Sequence, residues 1–160
     1  MDLESSSVYN TQQLFIEFLI TGASGAVPRQ DWRRMELHAK LYYESVRKRT
    51  GDVERIAKNS GFSVDDMKKI KEHMFLNKYD LGGSELSRFD PDYDQSQSWQ
   101  RLTEGKNIQE MDIILLHHEL FEYRLMHEHH LTYEEAHKIA DEKYSYSKYV
   151  KELNLKEGVE

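Results

Sequence analysis

The chain has 160 residues, no cysteine, two prolines and a formal net charge of −7. The absence of cysteine excludes a disulfide framework and thiolate metal ligands, and the scarcity of proline favours long helices over a loop-rich fold. The acidic balance argues against non-specific nucleic-acid binding, which needs a basic face. At 38% apolar and 11% aromatic residues, the composition supports the core of one ordinary domain.

Residues 1–8 read as irregular, and a short apolar helix is expected from Val8 to Ile20. No apolar run approaches the length of a membrane span: LFIEFLI (14–20) is too short and carries Glu17. MDLESSSV lacks the basic start of a signal peptide, so the expected location is the cytosol, or delivery by a carrier that leaves no mark here. The Gly/Ser/Ala-rich TGASGAVP (21–28) reads as a linker. Residues 1–27 are therefore expected to form an N-terminal extension and linker, and 28–160 a helical domain.

A helix is predicted from Pro28–Asp31 to Arg49, with Trp32, Met35, Ala39, Tyr42, Tyr43 and Val46 on its apolar stripe. Gly51 ends it, 53–59 is a short helix, and Ser63 caps another over 64–76. Ala57, Gly61, Met67 and Ile70 stand at helix-turn-helix spacing. The second helix of that unit opens on Asp65 and Asp66, which repel phosphate, and only later presents Lys68, Lys69 and Lys71. Plain helix packing is the better reading, and a DNA-binding regulator the lesser one.

Residues 80–91 read as irregular around Gly82-Gly83, and a helix with Trp99 over 93–103 stops at Gly105. Arg88 and Arg101 bracket Asp90, Asp92 and Asp94. They are either neutralised by those acids or candidate anion-binding residues on the rim of a pocket.

The central helix is predicted over 111–130. At roughly 100° per residue, Met111, Ile114, Leu115, His118, Glu122, Leu125 and Met126 share a stripe, while Ile113, Leu116 and Leu120 lie opposite. Both sides need cover, so this helix should be the most buried. A buried imidazole and carboxylate cost several kcal/mol each unless paired or bound. His127, His129 and His130 read as a solvated last turn that suits the helix dipole. Thr132 with Glu135 makes a capping box, after which Tyr133, Ala136, His137, Ala140 and Tyr144 share a face expected to pack on the core. A last helix is expected over about 146–155. No strand-like alternation appears, and the predicted fold is an all-α bundle of roughly six to eight helices.

His118 and Glu122 are one turn apart and can reach one ion from the same side, with His137 from the next helix as third ligand. HELFE (118–122) resembles the H-E-x-x-H helix of zinc peptidases, with Glu in place of the second His. That resemblance makes His118 and Glu122 ligands and Glu119 a general base. A zinc or other divalent ion is the cofactor these donors suit. The alternatives are a metal-free His–Glu acid–base pair and a structural hydrogen bond between helices.

The segments HAKLYYESVRKR (38–49), IAKNSGFS (56–63), IKEHMF (70–75), RFDPDYDQSQSWQRL (88–102), DIILLHHELFEYRLM (112–126) and YEEAHKIADEKYSYSK (133–148) resemble a family of bacterial and phage domains. The similar domains stand at the C-terminal ends of phage head-morphogenesis and toxin-like multidomain proteins. The resemblance implies an effector-type, toxin-like domain and assigns no reaction; the His/Glu cluster makes a hydrolase the expected activity, with nucleic acid or nucleotide entering only as substrate and an immunity or carrier protein as the expected partner. His73, Arg88, Arg101, His118, Glu119, Glu122 and His137 fall within the matching segments. The rival expectation is a non-catalytic helical interaction module or phage accessory protein.

Overall fold

Residues 27–159 are described by the computed structural model, and they form seven α-helices and one π-helical turn. The helices are α1 (Trp32–Lys48), α2 (Asp52–Ser60), α3 (Val64–Lys71), α4 (Tyr93–Glu104), α5 (Glu110–His127), α6 (Tyr133–Lys143) and α7 (Tyr146–Lys156). The π-helical turn (Glu72–Leu76) continues α3. Among the described residues the only β-type pairing is a single bridge between Tyr79 and Ser87. The expected all-α bundle is therefore the fold. The expected helix over 8–20 and most of the linker lie outside the described residues.

Local chemistry sets the helix ends. The side chains of Asp31, Ser63, Asp92 and Thr132 accept from the first-turn amides of α1, α3, α4 and α6, satisfying donors that have no partner within the helix. The turn between α1 and α2 needs a left-handed residue, and Gly51 supplies it at φ +87°.

Helix α5 lies at the centre, packed by α3, α4, α6, α7 and the π turn. Met111, Leu115, Leu116 and Leu120 are buried on different sides of it, as its all-round apolar character requires. It joins a core of Tyr42, Tyr43, Ile56, Met67, Ile70 and Trp99. Two carboxylates are sealed into the framework beside that core. Asp52 takes the Lys71 ammonium at 2.8 Å and the Trp99 indole N–H at 3.3 Å. Asp112 takes Arg101 in a two-pronged pair at 2.7 and 2.8 Å, plus the Gln109 amide at 2.9 Å.

Three expectations are corrected. Helix 64–76 is α-helical only to Lys71; the wider π turn points His73 toward α5 while Phe75 meets the rings of Tyr43 and Trp99. The central helix stops at His127, because the Leu131 amide bonds back to the Leu125 carbonyl and His130 turns to φ +56°. Trp32 is not in the core but 62% exposed, at the first turn of α1 under the Arg33 guanidinium.

Candidate functional site

One carboxylate organises the site. Glu122, on α5, is 2% exposed and lies against three imidazoles. Its Oε1 meets Nε2 of His73 at 2.8 Å. Its Oε2 meets Nε2 of His118 at 3.2 Å and Nδ1 of His137 at 2.9 Å. His118 sits one turn before Glu122, His137 comes from α6, and His73 from the π turn.

For His118 and His73, a hydrogen bond on the far side of the ring fixes what the near side presents. Nδ1 of His118 lies 2.9 Å from the Tyr144 carbonyl oxygen. A carbonyl only accepts, so Nδ1 carries the proton. Nε2 of a neutral ring then directs a lone pair at a carboxylate oxygen. That arrangement requires a cation between them, either a second proton on the ring or a metal ion. The chain through His73 is different. Its Nε2–H donates to Glu122, its Nδ1 accepts from the Tyr79 hydroxyl at 2.8 Å, and that hydroxyl accepts from Asn77 at 3.0 Å and from His127 at 2.9 Å. One tautomer satisfies every group there with no additional cation.

The electrostatics follow the geometry. Burial pushes the Glu122 carboxyl up, but the bonds from His118, His137 and His73 override it and hold it well below the usual carboxylate range. Burial pulls His118 down, yet its bond to Glu122 and the charges of Glu119 and Glu122 raise it to about 9. The bond to Glu122 likewise raises His137. Glu119 behaves oppositely: burial, then the charge of Glu122, push it up to about 7. No hydrogen bond from any described residue reaches the Glu119 carboxylate, and the nearest imidazole nitrogen, Nε2 of His73, is 3.6 Å away.

This cluster forms the floor of a cavity of about 530 Å³. His118, Glu119, Glu122 and His137 all face it, with Phe89 and Tyr133 among its apolar walls and Asp90, Asp92 and Asp141 among its polar ones. The buried side chains of His118 and Glu122 are thus reachable from outside. Two sets of donor atoms lie within 4.8 Å of one another: His118, Glu122 and His137, and His73, Glu119 and Glu122. Either could hold a metal ion. No family model, curated protein or solved structure matches this chain.

The four residues expected at a catalytic site come together around one cavity. His137, expected on a face packed into the core, has a side chain 47% exposed; Ala136 and Ala140 take the core positions, and the ring stands at the cavity wall. The two arginines join neither this cavity nor each other. Arg101 is held by Asp112 in a two-pronged pair, and Arg88 lines a separate groove. His73 and Tyr79 had no place in the sequence-derived site; the π turn brings His73 to Glu122, and the Tyr79 hydroxyl backs the far side of the His73 ring. In the helix-turn-helix segment, Ala57, Met67 and Ile70 are buried, Lys71 is spent on Asp52, and Asp66 pairs with Arg124 at 3.2 Å. That unit packs its apolar residues into the core. Among the described residues no helix is long and apolar enough to cross a membrane.

Proposed function

We propose that this domain is a small effector-type hydrolase in which His118, Glu122 and His137 hold a divalent metal ion, with zinc the best fit, and Glu119 acts as general base. The observation that carries this reading is the orientation of His118. Its Nδ1–H is anchored on a backbone carbonyl, the outer-shell arrangement of metal-binding histidines, while its Nε2 faces a carboxylate oxygen. His137 approaches that same oxygen. Neighbouring ligand atoms around a tetrahedral zinc lie roughly 3.3 Å apart, and the separations at Oε2 are 3.2 and 2.9 Å.

The remaining residues fit the same chemistry. His73 holds the other oxygen of Glu122 and so orients the carboxylate. Glu119 has no hydrogen-bond donor of its own, lines the cavity, and is pushed toward neutrality, where a base that takes a proton from water works best. A bound ion would supply the Lewis acidity that makes water acidic enough for that transfer.

Elemental analysis of untagged full-length protein, with a chelator-treated control, tests the metal. About one zinc or other transition ion per chain is expected, with His118→Ala and His137→Ala preparations that fold but load poorly. Growth inhibition on expression in a bacterial host tests the effector reading. Glu119→Gln should keep fold and metal and lose the effect. If Glu119→Gln, His118→Ala and His137→Ala all retain full effect, the domain is a non-catalytic interaction module and the cluster is a helix clamp.

A further inference from the structure

A second concavity, of about 910 Å³, opens between α1 and the segment 78–91. Five cationic side chains line it: Arg33, Lys40, Arg47, Lys78 and Arg88. Three carboxylates, Glu36, Glu44 and Asp90, offset part of that charge and leave a net of two positive charges. In a chain of net charge −7 this is a local inversion of sign. None of the five cations forms an ion pair with a described carboxylate. The described lysine and arginine ion pairs are instead those of Arg29, Arg34, Lys71, Arg101 and Arg124.

Two of the cations are built into place. Nε of Arg47 donates to the Phe75 carbonyl at 2.7 Å, and Nε of Arg88 to the Leu76 carbonyl at 3.3 Å. These are consecutive carbonyls at the end of the π turn. The turn thus uses two guanidiniums as caps and leaves their terminal amino groups free of any described acceptor. Two guanidiniums held on adjacent anchors repel. Burial lowers the Arg47 pKa, and the charge of Arg88 lowers it further. A structural cap needs no second like charge beside it, whereas an oxyanion bridging the pair turns that repulsion into attraction.

We propose that this groove binds a phosphate group, with Arg47 and Arg88 as its paired anchors and Lys78 and Lys40 extending the cationic wall. The site is independent of the hydrolase reading. It is nonetheless adjacent to the His/Glu cavity, because Asp90 lines both. A phosphate-bearing molecule seated on Arg88 therefore lies beside the cavity that holds Glu119.

The test is NMR of isotope-labelled full-length protein, following arginine Nε–H signals at low ionic strength. Three probes are titrated separately: inorganic phosphate, ATP, and a short labelled single-stranded oligonucleotide whose anisotropy is also read. Arg47 and Arg88 signals should move with saturation, while the Arg101 signal, locked on Asp112, should not. Binding should weaken as salt rises. Response to phosphate and ATP identifies a small phosphate-bearing ligand; tighter binding of the oligonucleotide identifies a nucleic-acid strand. Arg88→Ala should weaken whichever probe binds by roughly tenfold or more, and Asp90→Asn should tighten it. Arg47 also caps the π turn, so Arg47→Lys is used there, with circular dichroism as the fold control. No saturable shift at millimolar concentration of any probe overturns the proposal, as does binding unchanged in both Arg88→Ala and Arg47→Lys.

Discussion

At Asp52 and Asp112 the helices bury carboxylates against the permanent cations Lys71 and Arg101; at Glu122 they bury one against three imidazoles. The first two sites are closed. Each acid has a lysine or arginine and a further N–H donor, and neither lines the cavity of the His/Glu cluster. The third is open to a cavity, made of groups that titrate, and leaves the neighbouring Glu119 without a hydrogen bond from any described residue. The closed sites satisfy their buried charge with permanent cations, whereas the open site leaves one buried carboxylate without a hydrogen-bond donor among the described residues. Activity is commonly maintained at such a cost in stability.

The largest effect should come from the closed sites. Asp52→Ala strips the Lys71 ammonium of its carboxylate and the Trp99 indole of its acceptor. Orphaning a buried charge costs about 3–5 kcal/mol, a fall in Tm on the order of 10 °C for a chain of this size. Thermal circular dichroism reads it directly. A loss below about 1 kcal/mol would erase the distinction between the two regions. Whatever the loss, the metal dependence of Tm should persist in this variant, because Asp52 contacts none of the proposed ligands.

The second effect belongs to the open site. Zinc at about one hundred times its dissociation constant should stabilise the protein by about 2.7 kcal/mol, several degrees in a melting experiment. Glu122→Gln should abolish that rise, since the amide is a poor ligand and no longer balances the imidazoles. Calorimetric scans with and without zinc decide it. An undiminished rise would move the metal away from Glu122.

How much of this was legible in the sequence follows the same division. The helix ends set by a local cap or glycine were readable, since Ser63, Thr132, Gly51 and Gly105 act on amides and carbonyls within a turn or so of themselves, whereas the ends at Lys71 and His127 were not. His118 and Glu122 were readable from helical spacing, and His137 as a candidate from the next helix, although it stands at the cavity wall and not in the core with Ala136 and Ala140. His73 was not, since it lies 49 residues from Glu122 and only the packing of a π turn against α5 joins them. The arginines misled for the same reason. Arg101 sits close in sequence to Asp90, Asp92 and Asp94, yet its partner is Asp112, supplied by the first turn of the next helix.

A third effect separates the regions by pH. Burial raises the Tyr42 phenol from 10.0 to about 12. A folded-state pKa above the unfolded one contributes stability that is complete below pH 10 and lost as pH rises through 12. That loss amounts to roughly 2–3 kcal/mol. Tyr42 should therefore add no pH dependence near neutrality and should favour unfolding in alkali. Tyr42→Phe should shift the alkaline unfolding limb upward, provided the loss of the hydroxyl's 3.4 Å contact with Arg49 costs little. Urea unfolding at several pH values, with phenolate absorbance recorded alongside, checks the prediction. An alkaline limb identical in parent and Tyr42→Phe would reject it.

The smallest effect is the one that tests the comparison most sharply, because its sign is unusual. Glu119 is 6% exposed, receives no hydrogen bond from a described residue, and has a carboxyl pushed up to about 7 by burial and by Glu122. Its folded-state pKa is raised, so the neutral acid is the form the fold tolerates. The contribution is fully present below the unfolded value and lost as pH climbs through 7. Replacing it with a neutral isostere removes a buried charge that the neighbouring imidazoles offset only in part. In metal-free protein, Glu119→Gln should therefore be stabilising, by about 1 kcal/mol near neutrality, and the gain over the parent should widen from pH 5 to pH 8. The same substitution should cost about a hundredfold or more in biological effect if Glu119 takes a proton from water. A residue held for architecture would behave like Asp52 and lose stability when changed. A variant that melts higher while losing its effect identifies Glu119 as a group kept for chemistry at the expense of the fold; a variant that melts lower at pH 8 than its parent would place Glu119 with the closed sites and remove it from the reaction.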